Sequence, residues 1–111
     1  MADVTIYHLA DPTEWADAQR AGRYERSTRG RSLEQEGFVH CSEADQWPGV
    51  RRRFYDDVAG DLLLLELDES ALRSPVVREP APGTDELFPH VYGPLDLDAV
   101  VATTVLHPPH G

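Results

Sequence analysis

The chain has 111 residues, with 20 acidic side chains against 10 basic ones, a formal net charge of −10 and a pI near 4.7. That length suits one domain with one core, and a hydrophobic share of 41% is too high for a disordered chain. Strong acidity argues against general binding to a nucleic-acid backbone, and the longest apolar run, residues 62–65, is far short of the ~20 residues that cross a bilayer.

Residues 4–9, Val-Thr-Ile-Tyr-His-Leu, are β-branched and aromatic and predict a first strand. Asp11 and Pro12 supply an N-cap and a first-turn proline for a helix through Trp15, Ala18 and Ala21 that stops at Gly22. Residues 23–31 carry Arg23, Arg26, Arg29 and Arg31 among Ser, Thr and Gly, lack an apolar period, and are expected to form an exposed loop. Residues 37–41 predict a second strand. Trp47, Val50, Phe54, Tyr55 and Val58 lie at amphipathic-helix spacing, with Pro48-Gly49 placing the helix start after a turn and Arg51, Arg52 and Arg53 on the wet face.

Residues 62–67, leucine-rich and without alternation before Glu66, predict a central strand buried on both faces. Residues 69–72 make a helical turn, 76–79 a fourth strand, and the Pro- and Gly-rich loop 80–84 leads into 88–95. Residues 96–98 form a turn, 100–106 the last strand, and 107–111 a tail expected to be disordered. Helices come early and strands late, which predicts an α+β single domain over 1–111 with two main helices and a mixed or antiparallel sheet. Residues 1–10 show no basic start and no apolar signal core, so a cytoplasmic location is expected. The single cysteine, Cys41, excludes an internal disulfide.

Three histidines fall in predicted ordered segments: His8 on the first strand, His40 on the second and His90 beside the Pro/Gly-rich stretch. Histidine is the side chain best suited to move protons near neutral pH, although a buried ring is often satisfied by backbone alone. None of these histidines shows metal-ligand spacing, so no metal site is expected. Adjacent strand residues face opposite ways. His40 therefore does not activate Cys41; with His40 on a cleft, Cys41 faces the core and Ser42 returns to the cleft. Glu66 and Asp68 at the end of the leucine strand read as solvated carboxylates. No phosphate-binding glycine loop, dinucleotide fingerprint or nucleophile elbow is present.

The phrases Ile6-Tyr7-His8, Trp15 to Gly22 with Tyr24, Glu36-Gly37-Phe38-Val39-His40-Cys41-Ser42 and Phe88-Pro89-His90-Val91-Tyr92-Gly93-Pro94-Leu95 resemble the family called domain of unknown function 952, over about residues 6–101. That family is similar to the ADP-ribosyltransferase superfold, a split sheet that clasps NAD, and in particular to the RNA 2′-phosphotransferases.

The resemblance implies an NAD-dependent ADP-ribosyl-transferring or NAD-cleaving enzyme, with NAD as substrate and no metal. The acceptor stays open. The alternative is a binding module that holds a nucleotide-like ligand without turnover, and a third reading is an interaction protein with activity in a partner. The resemblance places His8 on the nicotinamide-side ribose or amide, His40 and Ser42 in the same cleft, and Tyr24 or Tyr92 on the nicotinamide ring. His90 stands where such transferases often carry Glu or Gln and is expected to act as acid, base or orienter. Arginine forks suit a pyrophosphate, which points to Arg31 and its neighbours in 23–31 and to Arg78. All of this requires the imidazoles of His8, His40 and His90 to line one groove.

Overall fold

The computed structural model describes residues 4–111. In chain order the elements are β1 (Thr5–Ala10), α1 (Pro12–Ala21), β2 (Arg26–Thr28), β3 (Arg31–Ser32), α2 (Leu33–Glu36), β4 (Val39–His40), α3 (Trp47–Phe54), β5 (Leu62–Asp68), β6 (Val76–Pro80), β7 (Leu87–Val91) and β8 (Val100–Leu106). Two 3-10 turns, Glu69–Ala71 and Leu97–Ala99, follow β5 and precede β8. The result is an α+β domain with antiparallel sheets, one of the two pairings expected, and with three helices where two main ones were expected.

The strands divide into two three-stranded sheets, β1-β5-β8 and β4-β7-β6, and a small β2-β3 hairpin. An isolated backbone bridge joins the larger sheets, which also share one core cluster through Ile6, Leu65, Val39 and Val91. Tyr7 N–H donates to the Ser42 carbonyl at 2.8 Å and Ser42 N–H returns a bond to Tyr7 at 2.7 Å, after which the sheets diverge. Alternation along β1 then sorts its side chains. Ile6 and Ala10 enter a core cluster with Tyr24, Leu65 and Leu67, whereas Tyr7 and Leu9 pack with Leu62, Leu64 and Tyr55. β5 is the middle strand of its sheet, and its leucines feed both clusters, as their unbroken run predicts.

Local chemistry fixes the helix ends. The Asp11 carboxylate caps α1 by accepting from Glu14 N–H at 3.0 Å, and Gly22 closes it at φ +85°, a conformation that costs residues with a Cβ. The segment 23–31, expected to be a loop, instead contributes β2 and the turn into β3. Ser27 on β2 is fully buried with its hydroxyl on the Phe38 carbonyl, so backbone pairing and one polar anchor hold a hairpin that has no apolar period. α2 was not expected; a Ser32–Gln35 capping box supports its single turn.

α3 ends at Phe54, which puts Tyr55 into the core and leaves Phe54 60% exposed instead of on the buried stripe. The tail 107–111, expected to be disordered, folds back. His110 is buried, accepts from Arg51 Nε at 3.0 Å and donates from Nε2 to the Gly60 carbonyl at 2.8 Å. No helix among the described residues is long and apolar enough to cross a membrane.

Candidate functional site

Where the two sheets diverge, a cavity of about 520 Å³ opens between β1, β4, α3 and the 81–84 loop. Its polar wall carries Glu36, His40, Ser42 and Arg53, and Phe54 and Phe88 supply aromatic surface. His40 and Ser42 share this wall, while Cys41 between them is 3% exposed and belongs to the core cluster, although it reaches the cavity edge. Burial pushes the Cys41 thiol well above its usual range, which leaves it un-ionised and a poor nucleophile.

His40 is the histidine with chemical freedom. Its Nε2 donates to one oxygen of Glu36 at 3.2 Å, and the other oxygen receives Arg31 at 2.8 Å. Desolvation lowers the His40 pKa, partly opposed by the Glu36 bond, so the ring is neutral at pH 7. With Nε2–H engaged on a carboxylate, Nδ1 is the basic nitrogen. The His40 bond, followed by the Arg31 charge, keeps the Glu36 carboxyl below the usual range and therefore ionised.

His8 is fixed on both sides. Its Nδ1–H donates to the His40 carbonyl at 2.6 Å, and the Tyr24 hydroxyl donates to its Nε2 at 2.9 Å. The ring is 3% exposed, and burial drops its pKa to about 4. His8 borders the cavity, yet both of its nitrogens are committed; it ties β1 to β4 and holds Tyr24. Tyr24, at 1% exposure, is a core residue and has no open ring face for a nicotinamide.

His90 pairs opposite His40 across the β4-β7 ladder, with ring centroids 5.1 Å apart. It is 1% exposed, stacks on Phe38 at 4.1 Å and bonds the Glu79 carboxylate through Nδ1 at 2.7 Å. Its Nε2 is buried without a partner among the described residues. Tyr92, 42% exposed, donates to the same Glu79 oxygen and packs on Phe38. Two of the three imidazoles therefore meet. His8 packs with Tyr24, and His90 lies behind His40 rather than on the cavity wall.

The arginines separate in the same way. Arg31 is taken up by Glu36, and Arg78 by Glu43 at 2.8 Å and Glu69 at 2.6 Å. Arg29 reaches the cavity but is paired with Asp57. Sequence reasoning missed Glu36, Glu79, Phe38 and Arg53. Glu36 stands four residues before His40, a separation that carries no signal until α2 and the Gly37 turn bring the two side chains together.

A family model described as Protein of unknown function (DUF952) matches residues 9–103, and the chain belongs to that family. It is similar to the crystal structure of protein CC0527 from Caulobacter crescentus, with 28% identity and a TM-score of 0.78 over 92% of this chain and 85% of that chain. A crystal structure of a double mutant of that protein is similar at 27% identity, with the same TM-score and coverage. No curated protein matches.

Proposed function

Starting from membership of a family without assigned chemistry, we propose that this protein is a nucleotide-using transferase of the ADP-ribosyltransferase type, which breaks the nicotinamide–ribose bond of NAD. The observation that carries the reading is the ionised Glu36 bonded to a neutral His40 on the wall of a cavity at the split of the sheet. Two three-stranded sheets with a cavity beside β4 also support this reading. The carboxylate that such a transferase needs to face a developing ribosyl cation is supplied by α2 through Glu36, while the later strand supplies His90.

In this mechanism the C1′–N bond breaks, and its electron pair leaves with nicotinamide. Glu36 stabilises the oxocarbenium-like charge and accepts a bond from a ribose hydroxyl. The acceptor oxygen or nitrogen forms the new bond to C1′, and its proton passes to Nδ1 of His40. Ser42 adds a hydroxyl on the same wall. NAD is a substrate here, and no step uses a metal.

One observation favours the binding-module alternative: Arg31 already neutralises one oxygen of Glu36. Incubation with NAD separates the two readings. Release of free nicotinamide that is lost in Glu36→Gln supports the transferase. Saturable NAD binding without release leaves the module.

A further inference from the structure

We propose that Arg53, which lines the cavity, and Arg52, which converges with it over Gly49, form an anchor for the diphosphate of a nucleotide ligand. The inference rests on reading the cavity as a nucleotide site and adds how the non-reacting part of the ligand is held.

All ten basic residues are arginines. Seven of them, Arg20, Arg23, Arg26, Arg29, Arg31, Arg73 and Arg78, sit against carboxylates. Arg51 is held by His110 and the His107 carbonyl. Among the described residues, Arg52 and Arg53 have no ion-pair partner, in a chain with twice as many acidic as basic side chains.

The geometry explains why these two differ. Side chains on a helix lean toward its N-terminus, so residues three and four positions after Gly49 reach back over it. The Nη2 atoms of Arg53 and Arg52 come within 3.6 and 3.9 Å of where a Gly49 Cβ would stand. Two positive forks thus share one small space near the positive end of α3, with no ion-pair partner among the described residues. The charge they lack is an anion of two or more negative charges with several acceptor oxygens, and a diphosphate suits paired guanidinium forks.

The placement fits the cavity. Arg53 and the exposed Phe54 line it, so an anion held here leaves the rest of a nucleotide free to lie along Phe54 and Tyr55 toward His40. Sequence spacing alone assigns the three consecutive arginines to a wet face; the structure distinguishes two of them by their approach to one another over Gly49 and their lack of an ion-pair partner among the described residues.

Calorimetric titration with ADP, inorganic pyrophosphate and adenosine tests the anchor. The expected result is binding of ADP and pyrophosphate that weakens with salt, with adenosine much weaker. Arg52→Ala with Arg53→Ala should weaken ADP and pyrophosphate by roughly tenfold per guanidinium removed. Gly49→Leu is the second variant. It keeps both charges and favours the helix but fills the shared space, and it should also weaken pyrophosphate.

Equal pyrophosphate affinity in the wild type and both variants, or no pyrophosphate binding to the wild type, overturns the anchor. Its failure is separable from that of the transferase. Nicotinamide release with an unchanged KM in the double variant removes the anchor and keeps the enzyme. Arginine-dependent ADP binding without nicotinamide release does the reverse.

Discussion

On β1 the His8 ring lies between the Tyr24 hydroxyl and a backbone carbonyl; on β4, one hydrogen bond away, the His40 ring meets Glu36 at the wall of an open cavity. Both rings are neutral because burial disfavours the imidazolium, but they reach that state differently. His8 gives up both nitrogens to neutral partners and becomes a cross-link between sheets. His40 spends one nitrogen on a carboxylate and keeps the other basic. Partners, more than burial, separate a structural histidine from a chemical one.

The comparison breaks most readily at Glu36. Glu36→Gln keeps the shape but removes the charge, and nicotinamide release should fall by about 10²–10³. Stability should change by no more than about 1 kcal/mol, since Glu36 lies at a helix end and its ion pairs are partly solvated. Release that survives the substitution would remove Glu36 from the chemistry.

His8→Ala should behave in the opposite sense. It leaves the Tyr24 hydroxyl and the His40 carbonyl without their partner and empties a fully packed position. The expected loss is about 3 kcal/mol in denaturant unfolding, with nicotinamide release falling only in proportion to the folded fraction. A His8→Ala protein of native stability and no activity would reassign His8 to catalysis.

The same ring makes stability depend on pH. In the native state His8 titrates at about 4, against the usual 6.5 in the unfolded chain. Between those values the unfolded state binds more protons, so the contribution of His8 is complete above pH 6.5 and declines as pH falls toward 4. At pH 5 the loss is about 2 kcal/mol. Comparing denaturation midpoints at pH 7 and pH 5 should show a steeper loss in the wild type than in His8→Gln, which keeps only the part from other groups such as His40.

Much of the fold is legible in the sequence because it is written in local patterns: Asp11-Pro12 and Gly22 bound α1, and the leucine run identifies the central strand. The alternation that places Cys41 inward and Ser42 on the cavity is equally local. The missed features are non-local or depend on a single atom. The β2-β3 hairpin relies on Ser27 reaching Phe38, and the ordered tail on His110 reaching Arg51 and Gly60. The family resemblance implies one groove for three histidines, yet His90 lies behind His40 off the cavity wall, and His8, which borders it, has both nitrogens committed. Which arginines stay free depends on where 20 carboxylates settle, and no one-dimensional pattern states that.

The smallest expected effect tests the second carboxylate-bound histidine, His90. Its Glu79 receives both the His90 ring and the Tyr92 hydroxyl, and the hydroxyl is the larger influence holding the Glu79 carboxyl below its usual range. Tyr92→Phe removes that donor while keeping the ring on Phe38. At a position 42% exposed the stability change should be small. The Glu79 carboxyl, followed by NMR titration, should move up toward the ordinary carboxylate value, and nicotinamide release should be unaffected. A loss of release would mean that the Glu79–His90 pair communicates with His40 through their 5.1 Å contact, making the site a relay of two histidines rather than one histidine on a cavity wall.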